Sequence, residues 1–139
     1  MYRVLFILFV GLTQLNVCFS QNLSFVKYGR SEGLNHSQIF DIAQDANDNL
    51  WLTTASYFIY RFDGREFFQH RISLANYYGR ISTYKIIADD QSIWILTNLG
   101  LVKYDGKKYT LVPMDEKLKI GFNSKLILDH NKRIWICDE

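Results

Sequence analysis

Apolar and polar residues alternate in short runs along most of this chain, and the runs return in a fixed order. Through Tyr60-Arg61-Phe62 and Val102-Lys103-Tyr104 the alternation has a period of two, the signature of a strand with one face covered. Asp63-Gly64 and Asp105-Gly106, 42 residues apart, each separate such a run from another one. Asp-Gly in that position predicts a hairpin with a type I′ turn, because that turn needs positive φ at both central residues and glycine supplies it without steric cost. The polar clusters Asp45-Ala46-Asn47-Asp48-Asn49 and Asp129-His130-Asn131-Lys132-Arg133 predict turns in which Asx side chains bond to the nearby backbone. Strands are expected over 38–44, 49–54, 57–62 and 66–70, then over 82–88, 92–97, 101–105 and 108–112, with a third set beginning near 124.

Tryptophan marks the period. Trp51, Trp94 and Trp135 lie 43 and 41 residues apart, each inside a short apolar run: Asn49-Leu50-Trp51-Leu52-Thr53-Thr54, Ser92-Ile93-Trp94-Ile95-Leu96-Thr97 and Arg133-Ile134-Trp135-Ile136-Cys137-Asp138. Each is preceded by an apolar stretch ending in Asp45, Asp89 or Asp129, at offsets of six, five and six residues, so the middle copy has one turn residue fewer. Four short strands in about 42 residues make one blade of a β-propeller. The expected fold is therefore all-β, a partial β-propeller of about two and a half four-stranded antiparallel blades, with repeats near 38–80, 81–122 and 123–139. A β-sandwich would leave the three matched tryptophans to coincidence. A buried indole contributes a large apolar area, so the tryptophan row is expected to pack between blades.

The first twenty residues break this pattern. Arg3, the apolar run Val4 to Val10, and the stretch ending Cys18-Phe19-Ser20 have the order of a secretory signal peptide. The run is far short of the roughly 20 apolar residues that cross a bilayer. A signal peptide over 1–20 and a propeller domain over 21–139 are the expected division; a lipoprotein cut at Cys18 lacks small residues before it. The segment after Ser20 has 119 residues with 15 basic and 14 acidic side chains, which gives no electrostatic case for nucleic acid. A closed propeller needs at least four blades, roughly 170 residues. On that count the chain is expected to be the leading part of a longer one, with two open blade edges that invite pairing.

Several stretches together resemble the two-component regulator propeller repeat: the leader Phe25-Val26-Lys27-Tyr28, then Glu32-Gly33-Leu34-Asn35-His36-Ser37-Gln38-Ile39, Gln44-Asp45, Asn49 to Thr54, and Arg61-Phe62-Asp63-Gly64. The resemblance spans about residues 25–139. It implies the N-terminal part of an extracytoplasmic sensor region of a bacterial histidine kinase of the hybrid, Bacteroidetes type. In such a protein the propeller is followed by a further β-domain, a membrane span and cytoplasmic signalling domains. It also implies export to the periplasm, with the parent anchored in the inner membrane. The second copy has the family's Gly-Leu after the tryptophan strand, Gly100-Leu101, where the first has Ser56-Tyr57-Phe58-Ile59, so the two hairpins are expected to differ in shape.

Chemistry is sparse. The sequence contains no Gly-x-Ser-x-Gly elbow, His-Glu-x-x-His pair or phosphate-cradling loop. Asp45-x-Asn47-x-Asn49 begins like a calcium loop, but Leu50 stands where that loop needs glycine and Ser56 where it needs a bidentate glutamate. His36, His70 and His130 share no ligand spacing, and Asp89-Asp90 reads as a turn. No catalytic, metal or cofactor residues are expected. The partners expected are a small-molecule or glycan ligand, adjacent blades, the downstream β-domain and a second copy in a homodimer. Ligand contacts are expected on inter-strand loops, first at the aromatic-basic stretch Tyr77-Tyr78-Gly79-Arg80 between repeats, with Tyr77, Tyr78 and Arg80 as the contact residues. A secreted propeller enzyme, a lyase or a glycan-degrading one, and a scaffold propeller are the alternatives.

Overall fold

Ten short strands follow one another in the computed structural model, which describes residues 24–36 and 38–138. The expected signal peptide, 1–20, lies outside the described residues. Strands β1 (Ile39–Gln44), β2 (Leu50–Thr54), β3 (Phe58–Phe62) and β4 (Phe67–Arg71) pair antiparallel in sequence order as one four-stranded sheet. Strands β5 (Thr83–Ala88), β6 (Ile93–Thr97), β7 (Gly100–Tyr104) and β8 (Tyr109–Val112) repeat the arrangement. The third sheet pairs β9 (Lys125–Leu128) with β10 (Ile134–Cys137). The bounds agree with the sequence reading to within one or two residues, because alternation and turn residues locate short strands well.

The meander gives the molecule two ends. The β1–β2 and β3–β4 turns emerge at one, while the β2–β3 hairpin and the β4–β5 connection emerge at the other. First strands β1, β5 and β9 lie side by side, and each blade runs outward from them. β1 and β5 carry matching register irregularities, at Ile39/Asp41 and Thr83/Lys85. Across this seam the backbone N–H of Ile86 donates to the Asp41 carboxylate at 3.0 Å, and the Thr53 hydroxyl donates to the Tyr84 carbonyl at 3.4 Å.

Alternate residues of each strand serve opposite faces. Trp51 and Ile59 of the first blade meet Ile86, Ile93, Ile95 and Val102 of the second, with Ile72, Leu74 and Ile81 of the connection closing the same core. Leu96 and Leu101, flanked by Trp94, pack on Leu126, Ile134 and Ile136 of the third sheet. The other face of the first blade is covered by the leader: Leu34 packs with Leu52, Tyr60 and Phe62, and the Tyr28 ring lies edge-on to Phe62 at 4.7 Å. Gly33 turns the leader at φ +96°, where a Cβ would stand 2.7 Å from the Phe67 carbonyl oxygen.

The Asp-Gly turns differ from expectation. Positive φ occurs at Gly64 (96°) and Gly106 (87°), and neither Asp63 nor Asp105 adopts it, so the type I′ turn at Asp-Gly does not form. The Asp63 carboxylate instead accepts the backbone N–H groups of Arg65 and Glu66, and Asp105 does the same for Lys107 and Lys108. This Asx bonding holds the aspartate ahead of the turn and moves its centre to Gly64-Arg65 and Gly106-Lys107. The β2–β3 and β6–β7 hairpins differ in the expected way. Thr97 pairs with Gly100 across a two-residue turn, whereas Ala55-Ser56-Tyr57 makes a wider loop held by Thr54 and Ser56 hydroxyls.

Candidate functional site

The recurring Asp-to-Trp offset has a direct physical cause. Trp51 Nε1 donates to Asp45 at 2.8 Å, Trp94 Nε1 to Asp89 at 2.7 Å and Trp135 Nε1 to Asp129 at 2.9 Å. The second carboxylate oxygen accepts turn amides, those of Asn47 and Asn49, Gln91 and Ser92, or Asn131 and Arg133. One aspartate thereby closes each first turn and fixes the indole that follows it. Burial pushes the Asp45 and Asp89 carboxyls up, but the indole and amide hydrogen bonds outweigh it and hold both below the ordinary aspartate value. The six-residue copies fit their extra residue by placing Asp48 or Lys132 at a φ near 62°, a conformation absent from the five-residue turn among the described residues. These three locks tie each first turn to the strand that follows it.

At the opposite end lies the stretch chosen from sequence. Ile72, Leu74 and Ile81 anchor the β4–β5 connection in the core, and a bridge between Leu74 and Tyr77 bends it. The Tyr77 hydroxyl donates to the Arg80 carbonyl, folding the ring over Gly79, where a Cβ would stand 2.5 Å from that hydroxyl. Arg80 reaches back to the first blade: its Nη1 donates to the Tyr57 hydroxyl at 2.9 Å, and its guanidinium lies 4.9 Å from the Tyr57 ring centre. Tyr57, Phe58, Arg71 and Arg80 line a small recess of about 260 Å³ there. Tyr78 is not gathered with the others; it is 95% exposed and stands alone. Sequence reasoning missed Tyr57, although the absence of glycine from the Ser56-Tyr57-Phe58 hairpin was a signal that this loop is special.

A larger cleft, about 370 Å³, opens between the first two blades at the turn end. Trp51, Arg61, His70, Ser92 and Tyr104 line it, below the turns of Asp45 and Asp89. The Trp51 and His70 rings are 5.1 Å apart, and the Tyr104 ring is 5.7 Å from Trp51. Sequence spacing did not connect Arg61 or His70 with anything, since they meet through strand pairing and blade packing. Among the described residues no group of three or more His, Cys, Asp or Glu side chains could hold a metal ion, and no helix is long and apolar enough to cross a membrane.

Sheets repeating radially with first strands adjacent define a propeller architecture, and comparison with known proteins agrees. Residues 33–56 match the family described as two component regulator propeller, a span that includes the Asp45–Trp51 lock. Among solved structures the chain is similar to the extracellular domain of the putative hybrid two component system BT3049 from B. thetaiotaomicron, with 20% identity and a TM-score of 0.62. The match covers 81% of this chain and 17% of that one, so the chain spans a small part of its neighbour's length. A second similar structure, YCF48 bound to D1 peptide, has 14% identity and a TM-score of 0.50, with 73% and 38% of the two chains covered. No curated protein matches the chain.

Proposed function

We propose that this chain is the N-terminal part of an extracytoplasmic, ligand-sensing propeller belonging to a hybrid two-component sensor histidine kinase. The carrying observation is the regulator-propeller repeat at 33–56, whose Asp-Trp lock recurs at 89–94 and 129–135. The signal-peptide pattern of residues 1–20 supports export to the periplasm, and the extracellular placement of the structural neighbour is in keeping with it. A ligand would signal by binding two arrangements of the propeller and its neighbouring domain with different affinity. The Tyr57, Tyr77 and Arg80 cluster is the proposed contact surface, with Tyr78 free to close on a ligand from solvent.

A transcriptional reporter driven by the full-length parent, scanned over small-molecule and glycan inducers, tests the reading. Deleting residues 24–138 is expected to abolish induction, and retained induction would overturn the sensor role. Arg80→Ala and Tyr78→Ala address the loop separately: an unchanged inducer response in both variants removes the loop from the ligand contact surface.

A further inference from the structure

The inter-blade cleft contains a guanidinium donor that no acceptor of the protein meets. Asp45 and Asp89 at its rim stay ionised and are engaged by neutral indole and turn N–H groups, not by Arg61, and Asp90 pairs with Lys132 Nζ at 2.9 Å. Arg61 is different. Its Nε is buried with no hydrogen-bond partner, its guanidinium faces the Phe68 ring at 5.0 Å, and it takes part in neither of the ion pairs found among the described residues. A buried guanidinium donor lacking an acceptor costs free energy that a carboxylate, with its matching bidentate geometry, would recover.

The remaining walls are mixed: the aromatic rings of His70 and Tyr104 form one side, and the polar turn residues Asn47, Asn49, Gln91 and Ser92 form the mouth. Arg61 stands directly opposite Trp51 in the β2–β3 register; the Trp51 ring is tilted against those of His70 and Tyr104, which meet each other edge-on, with centres 5.1–6.3 Å apart. Tyr104 donates its hydroxyl to the Gly106 carbonyl and so presents carbon to the cleft. We propose that this cleft is a second binding site, distinct from the Tyr57–Arg80 loop, for a small carboxylate with a flat apolar body, its carboxylate held by Arg61 and its body laid against the half-buried His70 and Tyr104 rings. The volume suits a ligand of that size. Burial, and then the nearby Arg61 charge, push the His70 imidazole down, so at neutral pH it adds no second cation and offers one donor and one acceptor.

Titration calorimetry of the chain with benzoate, and with benzamide as an uncharged analogue of the same shape, tests the site. Benzoate is expected to bind one saturable site with a Kd about tenfold or more below that of benzamide. Arg61→Gln is expected to erase the difference, Arg61→Lys to keep part of it, and Arg80→Gln at the opposite end to leave it unchanged. Equal affinities for the two probes, or no saturable benzoate binding, would overturn the proposal. So would wild-type benzoate affinity in a folded Arg61→Gln protein; if that variant does not fold, the benzoate-to-benzamide ratio of the unaltered chain and of Arg61→Lys still decides.

Discussion

The first blade and the third sheet are built on the same local sentence and live in different surroundings. Trp51 and Trp135 each donate an indole N–H to the aspartate six residues earlier, at 2.8 and 2.9 Å. Yet Trp51 is 4% exposed, wedged against His70 and Tyr104, whereas Trp135 is 53% exposed, with Ile127 beside it in sequence pairing at 56%. The first blade is covered on both faces, by the leader and by the second blade; the third sheet is covered on one. The turn lock is thus a property of a few consecutive residues and forms with or without a neighbour. Burial of the indole is a property of the next blade.

That contrast yields its largest test in paired truncations. Trp51→Ala should cost about 3–5 kcal/mol of unfolding free energy, and Trp135→Ala no more than about 0.5 kcal/mol, in urea denaturation followed by circular dichroism. Similar losses at the two positions would show that neighbour packing is not what separates them. A step smaller, Asp45→Ala should cost about 1–3 kcal/mol by leaving the buried Trp51 indole without its acceptor, against a clearly lesser effect of Asp129→Ala, where water can replace the carboxylate. Gly33→Ala attacks the comparison from the leader side. A Cβ at φ +96° against the Phe67 carbonyl should cost about 1–2 kcal/mol and raise hydrogen exchange in β3 and β4, making the first blade more like the third sheet.

The smallest effect is expected from acid. The carboxyls of Asp45 and Asp89 sit below their ordinary value of 3.8 in the folded protein. A depressed carboxylate contributes stability that is present above its unfolded value and is lost as pH falls through the folded one. The urea midpoint should therefore hold near neutral pH and fall below about pH 4. Asp45→Asn should flatten that fall, and an identical acid profile in the variant would remove Asp45 from the titrating set.

How much of this was legible beforehand follows from the range of each interaction. Strands β1 to β8 could be placed because alternation, Asx clusters and glycines act over a few residues. The three locks left their trace as an offset of five or six residues, and the sequence showed the offset without its hydrogen bond. The type I′ turn at Asp63-Gly64 was misjudged because the side chain of Asp63 takes the amides that the expected geometry would direct elsewhere. The contact of Arg80 with Tyr57 spans 23 residues, and the cleft joins Arg61 and His70 to Tyr104 across a blade boundary. No local period encodes such meetings. The leader, read from sequence only as part of a resemblance, became structural once Tyr28 and Leu34 were seen covering Phe62 and Tyr60.

The left-handed residue at Asp48 and Lys132 has a consequence for how such repeats diverge. Because the aspartate grips both the turn and the indole, one residue can be gained or lost between them while every strand keeps its register, as the shorter turn after Asp89 demonstrates. Length change is thereby confined to a single backbone position. When related blades are aligned, the gap belongs at that position and not in the strands, and a residue carrying a spectroscopic label can be inserted there with the least disturbance to its neighbours.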